Sequence, residues 1–342
     1  MKKSIIALAV AGALTAPLAQ ADATLYGKFE MRLVDAKNKN TEIQSDDFRL
    51  GVKGSVDTGM EGVEGIFGYE TEINPDGDNS YTSATDSTPA QSLNARKAFV
   101  GMKGDFGTVK VGRFANPAEA VVAKVGNWSE SATGFTHDLN PDFIGSAISY
   151  QTPDLNGFDA YVAIVAEGSP TGSTATAVQQ SQNDVDSTIV GGNYNGGGFS
   201  VSAAYWEVAN EYVDGANTAA AGTSGDRSYT GISGSYDFGG MVNVALGYQD
   251  YESGTSATTQ AGDVETTSLL VSKSFDNVTV WANYHDYDYA VSASTGQWKN
   301  EFGIGAAYFM GDTYIDVEYI DASGEANQAD NDVLSLGYTI NF

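Results

Sequence analysis

Few residues of this 342-residue chain could perform acid–base or nucleophilic chemistry. The chain has two histidines, His137 and His285, and no cysteine. His285 directly precedes Asp286 in a segment with the pattern of a strand, so these two side chains should point to opposite faces. An enzyme site needs a nucleophile, a base and an acid that converge on one point. No such constellation is visible, and we therefore expect no enzymatic activity.

Charged residues are numerous and unevenly distributed along the chain. There are 44 acidic and 17 basic residues, and the formal net charge is −27. After Lys2 and Lys3, twelve basic residues lie between Lys28 and Lys124, and only Arg227, Lys273 and Lys299 follow. If the early elements are neighbours in space, the positive charge gathers on one wall, and walls of charged side chains are a means by which pores select ions. Such an acidic chain is a poor partner for nucleic acid and a good one for small cations.

Acidic residues also occur in segments that should form loops, where carboxylates suit Ca²⁺ and Mg²⁺. They are Asp76, Asp78, Asp184, Asp186, Asp214, Asp330 and Asp332. Because their spacing matches no dedicated metal-binding loop, solvated loop charge is the favoured interpretation, with weakly bound Ca²⁺ or Mg²⁺ as the alternative. No cofactor is expected.

The first 21 residues have the organisation of a secretory signal peptide. Met1-Lys2-Lys3 is basic, an apolar run follows from Ile5 to Leu18, and Ala19-Gln20-Ala21 provides a small-residue cleavage site. The apolar run is shorter than the roughly 20 residues that a transmembrane helix requires. We expect residues 1–21 to be removed and residues 22–342 to form one exported domain.

The rest of the chain alternates apolar and polar residues with a period of two, in segments separated by turns. In Thr24–Leu33, for example, Leu25 and Phe29 share one face while Lys28 and Glu30 share the other. This period predicts strands with one apolar and one polar side, which is typical of a transmembrane β-barrel. The aromatic and β-branched residues, including 19 Tyr and 15 Phe, suit strands as well.

The same template predicts sixteen strands. They span 24–35, 45–57, 62–74, 92–104, 106–114, 143–153, 157–167, 185–196, 198–210, 226–239, 240–253, 264–276, 277–291, 297–311, 312–323 and 331–342. Short connections rich in Gly, Asn and Asp alternate with long ones, as in outer-membrane barrels, which have short turns at one end and long loops at the other. A soluble β-sandwich is the alternative, but it would not need one strand face to be apolar throughout.

Five stretches together resemble the general diffusion porins of Gram-negative outer membranes. They are Leu25-Tyr26-Gly27-Lys28, Arg49 to Gly54, Arg96 to Gly104, Val111-Gly112-Arg113-Phe114 and the closing Tyr338-x-Ile340-x-Phe342. Each motif is weak alone, but their order along the whole mature chain, between a signal peptide and a terminal Phe, makes the resemblance strong.

The resemblance implies a sixteen-stranded antiparallel transmembrane barrel that assembles as a homotrimer among outer-membrane lipid and lipopolysaccharide. A long third loop folds into the pore, the second loop latches onto a neighbouring subunit, and the barrel-assembly machinery reads the C-terminal strand. The residues carried over are a basic wall (Lys28, Arg49, Arg96, Arg113), loop acids (Glu119, Glu130, Asp138) and an assembly signal (Tyr338, Ile340, Phe342).

Some residues depart from the family pattern or from strict alternation. Gln151 stands where the family usually has another basic residue, which weakens any anion preference. Lys97 and Lys273 fall on the apolar parity, so we expect them near a membrane interface or a subunit contact, unless the alternation breaks there. Tyr and Trp near strand ends should form aromatic girdles. The candidates are Tyr69, Tyr150, Tyr194, Tyr236, Tyr248, Tyr284, Tyr308, Tyr319 and Phe342.

The expected function is that of a bacterial outer-membrane general diffusion porin. Its water-filled, cation-preferring channel would pass small hydrophilic solutes and ions. A substrate-specific channel, for example one for sugars, is the main alternative and would line its pore with aromatic side chains. An adhesin or structural barrel, whose long loops bind hosts or phage, remains a further alternative.

Overall fold

The computed structural model describes residues 21–37, 39–73, 93–125, 142–166, 185–208, 227–252, 263–290, 297–324 and 329–342. In this part of the chain sixteen strands form. They are β1 (Ala21–Ala36), β2 (Glu42–Asp57), β3 (Val63–Ile73), β4 (Leu93–Gly104), β5 (Gly107–Ala115), β6 (Phe143–Gln151), β7 (Phe158–Val165), β8 (Ser187–Gly196), β9 (Phe199–Val208), β10 (Arg227–Asp237), β11 (Asn243–Glu252), β12 (Val264–Phe275), β13 (Val278–Tyr289), β14 (Trp298–Met310), β15 (Thr313–Gly324) and β16 (Asn331–Asn341). Every predicted strand is present, with bounds within three residues of those predicted.

Each strand pairs antiparallel with its sequence neighbours, and β1 pairs with β16, so the sheet closes into a barrel. The terminal residue takes part in this closure. The backbone N–H of Gly27 donates to the Phe342 carbonyl at 2.9 Å, and the Phe342 ring lies 5.3 Å from that of Phe29. The barrel leaves no unpaired sheet edge, which excludes the β-sandwich alternative.

The outward face is apolar over most of its height. Leu25, Leu246 and Ile232 are 62%, 60% and 51% exposed, although such side chains are usually buried in a water-soluble protein. An exposed apolar band around a closed barrel matches a lipid-facing surface. Among the described residues, no helix is long and apolar enough to cross a membrane.

The predicted girdle residues lie on this outward face. Tyr69, Tyr150, Tyr194, Tyr248, Tyr284, Tyr308, Tyr319 and Phe342 are all exposed, and Tyr236 is half-buried. Tyr338 and Ile340 of the predicted assembly signal also point outward, with 45% and 38% of their surface exposed. Lys273 keeps the outward parity expected for it, and its ammonium lies 4.8 Å from the centroid of the Phe275 ring beside the β12–β13 turn.

Four register shifts interrupt the regular ladders. They fall between Phe29 and Met31, Glu70 and Thr71, Gly112 and Phe114, and Trp298 and Asn300. A β-bulge adds an unpaired residue and re-aims the side chains beside it. Three of these shifts lie within β1–β6, where the basic residues are concentrated, and they change which residues face the lumen there.

The assignment of the lipid-facing and lumen-facing sides can be tested by introducing an arginine on each side in separate variants. Ile304 lies on the outward face near the middle of β14, and Ile304→Arg should lower the free energy of unfolding by about 2–4 kcal/mol. Ser272→Arg places the same charge on the lumen side of β12, and should change stability by no more than about 0.5 kcal/mol. Urea titration of barrels folded into phospholipid bilayers measures both, and equal losses would contradict the assignment of faces.

Candidate functional site: the charged lumen wall

The inward side chains of β1 and β2 form a network of ion pairs. Lys28 Nζ lies 2.7 Å from Glu30 Oε2 and 3.1 Å from Asp47 Oδ2. Arg49, which is opposite Lys28 in the β1–β2 register, places Nη1 3.3 Å from the same Asp47 oxygen. The predicted wall residues Lys28 and Arg49 therefore lie together, and one carboxylate joins them.

Arg32 extends the network across the barrel seam. It pairs with Glu30 on its own strand, and its Nη1 donates to Asp316 Oδ2 on β15 at 2.8 Å. Arg32 is 2% exposed. A buried charge of this kind requires such partners, because leaving it unpaired would cost several kcal/mol. The two-residue period puts Arg32 on the same polar face of β1 as Lys28 and Glu30, but its partner 284 residues away could not be identified from spacing.

Glu70 organises the neighbouring part of the wall, on β3 and β4. Its carboxylate accepts hydrogen bonds from Arg96 Nε at 3.0 Å, from Lys97 Nζ at 2.9 Å and from the Tyr26 hydroxyl at 2.8 Å. Arg96 Nη1 also donates to Glu72 Oε2 at 3.2 Å. Glu70 is 1% exposed, and it is the shared anion of this cluster.

Lys97 does not lie on the apolar side, because the alternation breaks beside it, which is the alternative that the sequence left open. The register shift beside Glu70 leaves Arg96 unpaired and places Lys97 opposite Glu70, on the lumen face. After the bulge, the even-numbered residues of β4 point outward. Val100, for example, is 64% exposed on the outward side. If side chains alternated strictly from Val100, Arg96 would point outward. Because of the bulge, Arg96 and Lys97 instead both contact the Glu70 carboxylate.

Arg113 is separate from these carboxylates. It lies at the β5–β6 register shift, where its Nε donates to the Ala95 carbonyl at 3.0 Å. Its guanidinium carbon lies 5.5 Å from the centroid of the Phe143 ring, and the corresponding carbon of Arg96 lies 4.7 Å from the same centroid. The structure thus brings Arg113 near Arg96 through an aromatic ring rather than through an ion pair.

Exposure differs between the two signs of charge on this wall. Side chains of Lys28, Arg49, Arg96 and Lys97 are 20–28% exposed, whereas those of Glu30, Glu70 and Asp47 are 1–11% exposed. These four cationic groups therefore lie at the lumen surface in front of Glu30, Glu70 and Asp47, whereas the Arg32 side chain is buried and that of Glu72 is 36% exposed. These four cations therefore present more surface to the lumen than the three carboxylates do, although the whole chain is strongly acidic.

The segment after β5 enters the barrel and contacts the opposite wall. It forms a one-turn helix, α1 (Glu119–Val122), whose Val121 packs with Trp206 and Tyr229 in one buried cluster. Lys124 Nζ donates to Ser202 Oγ of β9 at 2.6 Å. Burial lowers the pKa of Lys124, and the nearby Asp159 carboxylate partly opposes that effect.

Among the predicted loop acids, only Glu119 can be located. It begins α1 and is half-buried. Glu130 and Asp138 lie outside the described residues, so their position relative to the basic wall stays a prediction. Gln151, at the position where the resemblance leads us to expect a cation, donates through Nε2 to Asp159 Oδ1 at 2.9 Å.

The wall formed by β9–β13 presents mainly neutral polar and aromatic side chains to the interior. Trp206 stacks with Tyr229, and the Tyr229 hydroxyl donates to Gln249 Oε1 at 3.1 Å. His285 is fully buried between Ser268, 2.8 Å from Nδ1, and Asn283, 3.0 Å from Nε2. Asp286 instead lies beside Tyr284 on the outward side, so the two faces expected for His285 and Asp286 are confirmed.

No group of three or more acidic or histidine side chains suited to a metal ion occurs in the described ranges. Of the loop acids considered for Ca²⁺ or Mg²⁺, Asp186, Asp330 and Asp332 are described. Asp76, Asp78, Asp184 and Asp214 lie outside those ranges. Weak cation binding at the loops stays a prediction.

A closed barrel with an apolar exterior, a charged interior and an inserted loop defines a channel-forming membrane protein. A family model described as Gram-negative porin matches residues 7–214 and 206–342. The major outer membrane protein P.IA of Neisseria meningitidis is 25% identical over 352 residues, covering 87% of each chain. A monosaccharide porin of a Halomonas species is 26% identical over 280 residues, covering 74% of this chain and 71% of its own.

Solved structures show the same fold. Salmonella typhi OmpF, in complex with daunomycin, superposes with a TM-score of 0.71 at 18% identity, covering 94% of this chain and 97% of its own. An anion-selective porin from Comamonas acidovorans gives 0.66 at 20% identity, covering 94% and 100%. The chain belongs to the Gram-negative porin family. It is a channel of the bacterial outer membrane, and not an enzyme.

The role of Glu70 in the wall gives a stability prediction. Glu70→Gln removes the shared charge while keeping the size of the side chain, so Arg96 and Lys97 lose their common anion. We expect the free energy of unfolding to fall by about 1–3 kcal/mol. Glu64→Gln is the matched control, because Glu64 is exposed on the same face of β3 and should change stability by no more than about 0.5 kcal/mol. Similar values for both variants in urea titrations would exclude the organising role of Glu70.

Proposed function

We propose that this porin is a general diffusion channel with a moderate preference for cations. Two charge distributions in series support this reading. Carboxylates accumulate at the long-loop ends of the strands, so small cations should be concentrated at that entrance. Deeper in the lumen, the exposed cations of β1–β4 oppose this effect and keep the preference moderate.

The acidic rim follows from the strand registers. On the outward face, Asp250 is directly opposite Glu265, Glu265 is opposite Asp288, and Asp321 is opposite Asp332. Lys37, whose Nζ is 3.8 Å from Asp332, compensates only part of this charge. These acidic residues therefore face one another at the rim, whereas Glu30, Glu70 and Asp47 of the β1–β4 wall are paired with cations and buried.

A sugar-specific channel is the second candidate, and one observation favours it. Trp206, Trp281 and Trp298, the tryptophans within the described ranges, all lie on the lumen side. Each is only 5–6% exposed, however, so none offers an open face to a passing sugar. The general diffusion function therefore agrees better with the geometry. Block of the single-channel current by glucose at millimolar concentration would favour the sugar channel instead.

Further properties are proposed on the basis of family membership. They are cleavage after Ala21, assembly as a homotrimer in contact with lipopolysaccharide, and recognition of Tyr338, Ile340 and Phe342 by the barrel-assembly machinery. The outward direction of these three side chains supports the last proposal, because a partner can reach them at the β1–β16 seam. The second loop, which would latch a neighbouring subunit, lies outside the described residues.

Reversal potentials in a KCl gradient test the proposed selectivity. The wild-type channel should show a cation-selective sign near 0.1 M salt, where the screening length is about 10 Å. Arg49→Ala and Arg96→Ala should each increase the cation preference, because each removes an exposed positive charge from the lumen wall. Lys273→Ala, on the outward face, is the control and should leave the potential unchanged. An anion-selective wild type, or equal potentials for all four proteins, would contradict the proposal.

A further inference from the structure

Three long lumen side chains follow one spatial pattern in the described part of the barrel. Each crosses a glycine on the adjacent strand and donates a hydrogen bond to a carboxylate on the strand beyond. The three sets are Tyr26–Gly51–Glu70, Trp281–Gly305–Glu318 and Arg32–Gly337–Asp316, and the donor–acceptor distances are 2.8, 2.9 and 2.8 Å. In each set the glycine is the direct register partner of both other residues.

This pattern requires the side chain to lie flat against the wall. Neighbouring strands are about 4.8 Å apart, so a contact that spans two intervals runs roughly 10 Å along the sheet. The glycine makes that path possible. A β-carbon at position 51 would lie 2.4 Å from Tyr26 Cζ, and one at position 305 would lie 2.2 Å from Trp281 Cζ2. Any other residue at these positions would lift the ring off the wall and towards the lumen.

Two further side chains lie over a glycine on the adjacent strand in the same way, without the carboxylate on the strand beyond. A β-carbon at position 68 would lie 2.5 Å from Phe99 Cε1, and one at position 303 would lie 2.2 Å from Asn283 Oδ1. Phe99 and Asn283 are again the register partners of these glycines. In each of these cases only side-chain atoms, which can move, occupy the space that a β-carbon would take.

We propose that Gly51 and Gly305 set the width of the pore by seating Tyr26 and Trp281 flat against its wall. The glycines are thus determinants of solute size, acting through the rings that they accommodate. Tyr26 is the more informative case because it is only half-buried on the lumen face, whereas Trp281 is 5% exposed, and Lys53 Nζ lies 5.1 Å from the Tyr26 ring centroid. The inference rests on the proposed diffusion function, since it concerns how wide that diffusion path is.

Gly51→Ala is the direct test. It should lower the single-channel conductance and slow the entry of larger sugars into liposomes more than that of smaller ones, because the Tyr26 ring moves into the lumen. Gly51→Ala combined with Tyr26→Ala should recover the conductance. Gly234→Ala is the matched control. This glycine is on the outward face of β10, and a β-carbon there would lie 3.6 Å from Val201 Cγ2, an ordinary contact. Its conductance should equal that of the wild type.

Tyr26→Ala alone provides a measurement that does not depend on tolerance of a new β-carbon. Because the native ring lies flat, its removal should leave the conductance nearly unchanged, and a large increase would overturn the proposal. Unchanged conductance in Gly51→Ala and Gly305→Ala, with folding verified by heat-modifiable migration in gels, would overturn it as well. A wild-type protein that conducts but discriminates solutes by chemical identity would instead reject general diffusion, and the glycine comparison could still be made.

Discussion

Every backbone N–H and C=O group that crosses lipid must be paired within the protein, because hydrocarbon offers no hydrogen bonds. In this chain the requirement is met by closing sixteen strands into one ring, with β1 against β16. The last residue belongs to that seam, since Phe342 and Gly27 exchange backbone hydrogen bonds. Once the ring is closed, the two-residue period assigns alternate side chains to lipid and to the lumen, and the arrangement of charges follows from that division.

The lumen wall shows how charge is accommodated on the inner side of such a ring. A buried carboxylate is unfavourable unless cations and hydrogen-bond donors surround it. Glu70 accepts hydrogen bonds from Tyr26, Arg96 and Lys97, and Asp316 accepts them from Arg32. The basic residues of β1–β4 therefore serve two purposes. They neutralise buried acids, and their remaining exposed surface faces the lumen.

The fold could be predicted from the sequence because the two-residue period is a local signal, repeated in every strand. The location of Lys28 and Arg49 was predictable for the same reason. The signal fails where an extra residue enters a strand, since the bulge beside Glu70 inverts the parity beyond it and brings Lys97 inward. Pairings across the seam, such as Arg32 with Asp316, depend on the register between β1, β16 and β15, which alternation does not define. The residues that complete the wall, Asp47, Glu70, Glu72 and Asp316, were therefore missed.

Glycine connects this architecture with its permeability. The chain contains 40 glycines. In the interior of a strand glycine normally weakens a sheet, because it has no side chain to pack and loses more backbone entropy than other residues. At positions 51, 305 and 337 the missing side chain is replaced by Tyr26, Trp281 and Arg32 from the adjacent strand, so packing is recovered. A lumen lined with upright side chains of that length would be narrower. Glycines opposite long side chains thus let the same wall be packed, charged and thin, and that combination is what a water-filled channel within a ring of fixed strand number requires.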